Sequence, residues 1–153
     1  MHTHIEFDFQ TRATPDQVVE VLTDFSPNRP NRWPQLSPKW YEVYSVGETS
    51  AEVREGQDRP VFWAKEHYDW SKPGTVTWTV TESEMLAPGS YVSITATPAP
   101  GGGSTVHGVW DRTAAKGAAN VVMVIMRVAG RGIMSRYLTK VFDGVAGPEP
   151  GTT

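Results

Sequence analysis

Residues 61–81 have the sequence VFWAKEHYDWSKPGTVTWTVT, which predicts two antiparallel strands joined by a tight turn. In the second strand, Val76, Trp78 and Val80 alternate with threonines, so one face is apolar and the other polar. Residues 71–74 place Pro and Gly where a β-turn uses them. The hairpin therefore indicates an antiparallel sheet with one face packed against a core.

More strands are predicted on both sides of this hairpin. Ile5, Phe7 and Phe9 alternate with polar residues and predict a first strand. The further strands are predicted at residues 40–46, 51–56, 91–97 and 105–113. Residues 98–104 contain three consecutive glycines and predict a flexible hairpin tip, because no helix or GK[ST] motif follows that would make a phosphate site.

Three helical segments are predicted. Residues 14–17, Thr-Pro-Asp-Gln, have the form of a capping box and begin a short helix that extends to Phe25. A single helical turn is expected within the proline-rich residues 28–37. Residues 118–145 carry apolar side chains at three- and four-residue spacing and predict one long helix. Gly130 and Gly132 disfavour helix, so a kink is expected there.

The order of these elements predicts an α+β fold, because strands follow one another and helices are segregated from them. We expect a curved antiparallel sheet of six to seven strands, two short helices after strand 1, and one long C-terminal helix packed over the concave face. Residues 1–146 are predicted to form a single domain, and residues 147–153 a flexible tail.

Several segments resemble the START-like, polyketide cyclase/dehydrase superfamily (SRPBCC), whose helix-grip fold is shared with the birch-pollen allergens. The matching segments are ATPDQV at 13–18, RWP at 32–34, YDW at 68–70 before the Pro-Gly turn, GGGSTV at 101–106, and the glycine-containing C-terminal helix. The resemblance covers residues 3 to about 145. It specifies a fold better than an activity, because the superfamily includes lipid and sterol carriers, hormone receptors, aromatase/cyclases and ring dioxygenase domains.

The composition excludes several classes of function. The 153 residues include no cysteine, which excludes disulfides, thiolate catalysis, Cys-ligated zinc and iron–sulfur clusters. A formal net charge of −3 argues against nucleic acid as a partner. No apolar run approaches the roughly 20 residues of a membrane span, and the N-terminus does not resemble a signal peptide, so a cytoplasmic protein without an integral membrane segment is expected.

A sheet that grips one helix leaves a space in which an apolar ligand can bind. The chain has many aromatic and thioether side chains at positions predicted to face that space; aromatic rings suit planar ligands and methionine adapts to varied shapes. The predicted ligand-binding residues are Trp33, Tyr68, Trp78, Tyr91, Trp110, Met123, Met126 and Met134. The alternative for each of them is an ordinary place in the packed core.

Glu66 and Arg112 are the candidate catalytic residues. The more apolar face of strand 61–70 is taken as inward, and it carries Glu66; a slip of one residue would bring His67 inward instead. A buried carboxylate needs a partner, and Arg112 shares its parity with the apolar Trp110. Glu66 could move a proton and Arg112 could hold an enolate or carboxylate.

The remaining charged residues suggest ordinary roles. His67 and His107 are expected to face outward or to be simply hydrogen-bonded, and no third ligand stands at a metal-binding spacing, so neither metal nor cofactor is predicted. The last helix carries four cations, Arg127, Arg131, Arg136 and Lys140. They are interpreted as a solvated face; recruitment to an anionic membrane or ligand is the alternative.

Three functions are compatible with these features. The first is binding of a hydrophobic or aromatic small molecule, lipid- or polyketide-like, by a monomer or homodimer. The second is a polyketide cyclase, aromatase or dehydratase that uses acid/base groups in the cavity. The third is a non-catalytic protein-interaction module, which would expose an apolar patch on the outer face of the sheet; the threonines at 75, 77, 79 and 81 argue against it.

Overall fold

The computed structural model describes residues 1–147; the predicted tail lies outside the described residues from position 148 onward. The elements in chain order are β1 (His2–Thr11), α1 (Pro15–Leu22), α2 (Arg29–Arg32), β2 (Glu42–Val46), β3 (Ser50–Asp58), β4 (Val61–Asp69), β5 (Thr75–Ser83), β6 (Tyr91–Pro98), β7 (Ser104–Thr113) and α3 (Ala119–Ala146). The predicted α+β class and helix order are confirmed.

The strands form one antiparallel seven-stranded sheet in the order β1-β7-β6-β5-β4-β3-β2. The strands from β2 to β7 follow one another as neighbours, and β1 pairs with β7 at the far edge. The register shifts between β2 and β3 and between β4 and β5. Such bulges bend a strand and increase its twist, which helps the sheet curve around a helix.

Alternation along the strands decides which side chains face the core. On β4, Ala64, Glu66 and Tyr68 are buried, while His67 points to the other face and contacts Glu52. On β5, Val76 and Val80 are buried. The inward register predicted for β4 is therefore the one that the structure has.

The capping box at the start of α1 forms as predicted. The backbone N–H of Gln17 donates to Thr14 Oγ1 at 3.2 Å, and the backbone N–H of Thr14 donates to Gln17 Oε1 at 2.9 Å. The helix ends at Leu22, three residues before the predicted end. Arg29 terminates it, since its guanidinium donates to the carbonyl oxygen of Leu22 at 2.9 Å and to that of Asp24 at 3.1 Å.

The long helix α3 continues through Gly130 and Gly132 without a break. Gly130 instead marks a close approach between α3 and β1: a Cβ atom there would lie 2.5 Å from Cδ1 of Ile5. The first half of α3 thus packs directly on the sheet. None of the helices within residues 1–147 has the length and apolar character that a membrane crossing requires.

Candidate functional site

A cavity of about 290 Å³ lies between the inner face of the sheet and the second half of α3. Strands β3 to β7 all contribute to its floor, and Met134, Tyr137 and Leu138 of α3 form its roof. The segment after α2, with Trp33 and Leu36, closes one side. The cavity therefore occupies the place that the sequence predicted for a ligand.

Six aromatic side chains line the cavity. Tyr68 and Trp78 stack with their ring centroids 5.5 Å apart and their planes 16° from parallel. Trp110 lies two strands away on the same inner face, and Trp33 donates its indole N–H to the carbonyl oxygen of Val21 at 3.3 Å. These rings offer flat apolar surfaces to a ligand while their own positions are held by packing and hydrogen bonds.

Glu66 and Arg112 form a buried ion pair at the cavity. Nη2 of Arg112 lies 3.6 Å from Oε2 of Glu66, and the two side chains are only 12% and 7% exposed. Among the described residues, neither Oε2 of Glu66 nor Nε of Arg112 has a hydrogen-bond partner. The pair therefore retains unused hydrogen-bonding capacity beside the cavity that both residues line.

Burial dominates the electrostatics of this pair. It raises the pKa of Glu66 to about 8, although the positive charge of Arg112 acts in the opposite direction. Burial also lowers the pKa of Arg112, and the charge of Glu66 opposes that shift. A carboxyl group with a pKa close to neutral pH can act as a general acid while it holds its proton and as a general base once it is ionised.

A second buried cluster, which the sequence analysis missed, holds Tyr68 in place. Arg29 donates from Nε to Oε2 of Glu55 at 3.0 Å and from Nη2 to the hydroxyl oxygen of Tyr68 at 3.1 Å. The Tyr68 hydroxyl donates in turn to Glu55. Burial alone would lower the pKa of Arg29, but Glu55 and Tyr68 raise it, so this guanidinium stays charged. The sequence did contain one signal for this cluster. Glu55 follows Ala51 and Val53 at two-residue spacing along β3, so its side chain points to the same inner face.

The structure brings seven of the ten predicted site residues to the cavity: Trp33, Glu66, Tyr68, Trp78, Trp110, Arg112 and Met134. It does not bring Tyr91, Met123 or Met126 there. Tyr91 opposes Asp111 and Thr79 on the outer face, because the buried Val92 and Ile94 take the inner positions of β6.

The prediction that Met123 and Met126 bind a ligand is wrong for a different reason. They lie in the first half of α3, which packs on β1: the hydroxyl of Thr3 donates to the carbonyl oxygen of Met123 at 2.9 Å, and Gly130 lies against both Met126 and Ile5. This part of the interior is filled by core side chains. Of the three predicted methionines, only Met134 faces the cavity.

The histidines lie on the outer face of the sheet. His107 contacts Asp8 at 2.8 Å and Glu6 at 3.1 Å, and His4 contacts Asp111 at 2.7 Å. The hydrogen bond to Asp8 raises the pKa of His107, and the hydrogen bond to Asp111 raises that of His4. Within residues 1–147, no group of His, Asp and Glu side chains is arranged to hold a metal ion.

The geometry defines an α+β helix-grip fold, and solved structures share it. The aromatase/cyclase Zhui from Streptomyces sp. R1128 is similar over all of both chains, with a TM-score of 0.75 and 15% identity. A START superfamily protein from Mycobacterium smegmatis has a TM-score of 0.73 and 10% identity, covering 94% of this chain and 96% of that one.

Truncated norcoclaurine synthase from Thalictrum flavum has a TM-score of 0.66 and 11% identity, covering 92% of this chain and 93% of that one. No protein-family model matches the sequence, and no curated protein matches it significantly. At such low identity these likenesses concern the fold, and they confirm the helix-grip fold that the sequence resemblance implied.

Proposed function

We propose that this chain binds a hydrophobic or aromatic small molecule, lipid- or polyketide-like, in the cavity between the sheet and α3. The cavity with its aromatic wall carries the proposal. Its volume of about 290 Å³ is near the lower end for ligand pockets, which favours a compact ring system over a long acyl chain. The name of one protein with this fold, an aromatase/cyclase, accords with a cyclic ligand.

A dye titration tests this proposal. We expect an apolar anilinonaphthalene sulfonate dye to bind saturably and to quench indole emission, because Trp33, Trp78 and Trp110 line the cavity. Val92→Phe adds a ring between Trp78 and Trp110, the residues that oppose Val92 on neighbouring strands. This variant should weaken dye binding by at least about tenfold, equivalent to about 1.4 kcal/mol.

Val43→Phe is the matched control, since Val43 lies on the exposed edge strand β2 and does not line the cavity. It should bind the dye as the unchanged protein does. Circular dichroism establishes that both variants fold. The proposal fails if a folded Val92→Phe protein retains full affinity and full indole quenching.

A second candidate function is a polyketide cyclase, aromatase or dehydratase. The buried Glu66–Arg112 pair with unsatisfied polar atoms favours it. In this proposal Arg112 stabilises the negative oxygen of an enolate, while the carboxylate of Glu66 accepts the proton from the adjacent carbon. Glu66 then returns that proton to the oxygen of the carbonyl group attacked by the enolate carbon.

Substitution of this pair separates catalysis from binding. With a poly-ketone thioester as substrate, we expect Glu66→Gln and Arg112→Leu each to slow product formation by about a hundredfold or more. Glu48→Gln, in the exposed turn after β2, is the control and should not change the rate. Unchanged product formation in both pair variants would remove Glu66 and Arg112 from the mechanism.

Location and assembly are proposed on the sequence alone. A cytoplasmic protein that acts as a monomer or homodimer remains our prediction, and size-exclusion chromatography with light scattering measures the oligomeric state.

A further inference from the structure

The first half of α3 is apolar on two opposite sides. One side, with Met123, Met126 and Gly130, is buried against β1. The other side faces solvent and is formed by Val121, Val124, Ile125 and Val128, which we call the aliphatic face. Val121 is 62% exposed and Val128 83% exposed. A helix that is apolar all round is normally buried on every side, and contiguous exposed apolar surface is typical of an interaction site.

Helical geometry makes the aliphatic face continuous. Successive residues are about 100° apart, so positions 121, 124, 125 and 128 form one stripe along the helix. Met123 and Gly130 lie on the opposite side of the helix and pack on the core. The aliphatic face therefore points away from the core and remains exposed. None of its four side chains is aromatic.

The charge around the aliphatic face is positive although the whole chain is acidic. Residues 113–142 contain five of the fourteen Lys and Arg residues and none of the seventeen Asp and Glu residues. Arg127 and Arg131 border the face on the β1 side and donate to the backbone carbonyl oxygens of His2 and Glu6, at 2.8 and 3.0 Å. A carbonyl does not neutralise a guanidinium, and no carboxylate in residues 1–147 forms an ion pair with either arginine.

We propose that the aliphatic face docks on the surface of an anionic phospholipid bilayer. Its valine and isoleucine side chains enter the boundary between headgroups and acyl chains, and Arg127 and Arg131 contact lipid phosphates. Aliphatic side chains bordered by cations are the combination that interfacial helices use on anionic membranes.

Other occupants fit the aliphatic face less well. A second copy of the chain would bring two sets of Arg127 and Arg131 together, and the surrounding residues 113–142 supply no acidic side chain to separate them. The centres of protein–protein interfaces rely on aromatic anchors seated in pockets, and valine is under-represented there. A bilayer needs neither a pocket nor an aromatic anchor, so it suits an aliphatic stripe.

Vesicle flotation tests the proposal. We expect the protein to float with vesicles of phosphatidylcholine mixed with phosphatidylglycerol, to remain behind with phosphatidylcholine alone, and to be released by high salt. The variant V124S/V128S should bind the anionic vesicles at least about tenfold more weakly. The variant R127Q/R131Q should bind them about thirtyfold more weakly, at about 1 kcal/mol per arginine.

The control V46S/V61S removes two exposed valines that lie on the sheet, and it should bind anionic vesicles as the unchanged protein does. Circular dichroism and the dye titration establish that each variant keeps its fold and cavity, so the outcome is independent of the proposed ligand function. The proposal is overturned if the protein does not float with anionic vesicles at low salt, or if V124S/V128S floats undiminished. A concentration-dependent dimer abolished by V124S/V128S, without flotation, also overturns it in favour of a second copy.

Discussion

Replacing Arg29 by Met should lower the free energy of unfolding by about 3–5 kcal/mol. The side chain of Arg29 is 2% exposed and forms an ion pair with Glu55, which is 15% exposed. Methionine fills similar space but leaves the Glu55 carboxylate buried without its cation. The substitution also removes the guanidinium that donates hydrogen bonds to the carbonyl oxygens of Leu22 and Asp24 at the end of α1. Urea unfolding followed by tryptophan fluorescence measures the loss.

Arg32→Gln is the matched control for this prediction. Arg32 pairs with Glu20 and Asp24, but it is 25% exposed, so water screens both ion pairs. We expect a loss of less than about 1 kcal/mol. If Arg29→Met and Arg32→Gln destabilise the protein equally, burial of the Arg29 cluster is not the source of its stability.

The cluster of Arg29, Glu55 and Tyr68 is a part of the site that the sequence does not predict. Alternation at Val76, Trp78 and Val80 identifies the inner face of β5, because the period of a strand is local and the burial of one face is strong. Arg29 is the first residue of the short helix α2, and its partners Glu55 and Tyr68 come from two strands far along the chain. No local pattern predicts that such residues meet, because the meeting depends on tertiary packing.

The long helix shows a second limit of sequence patterns. Periodicity locates α3 within one residue at either end, but Val121, Met123 and Val124 are all apolar and point in different directions. Periodicity therefore could not distinguish Met123 and Met126, which pack on β1, from Met134, which faces the cavity. Gly130 is the reason that these methionines differ. Because it has no side chain, α3 can lie against Ile5, and core side chains then fill the interior at that end.

Glu66 should make the protein less stable as the pH rises from about 4.5 to about 8. Burial raises the pKa of Glu66 from 4.5 to about 8. Between these values the folded protein keeps a proton on Glu66 that the unfolded chain releases, so each increase in pH favours unfolding. The contribution to stability is complete below pH 4.5 and falls by at most about 1.4 kcal/mol per pH unit up to the folded pKa.

Glu66→Gln removes this titration while keeping the shape of the side chain. Measured by urea unfolding at several pH values, the variant should lack the part of the downward slope that Glu66 supplies, and its advantage over the unchanged protein should grow as the pH approaches 8. Glu48→Gln replaces an exposed carboxylate and should retain the full slope. Equal slopes in the unchanged protein and in Glu66→Gln would mean that Arg112 holds Glu66 ionised across this range. In that case the carboxylate, and not the acid, is the form that faces a ligand in the cavity, and Glu66 could accept a hydrogen bond there but could not donate one.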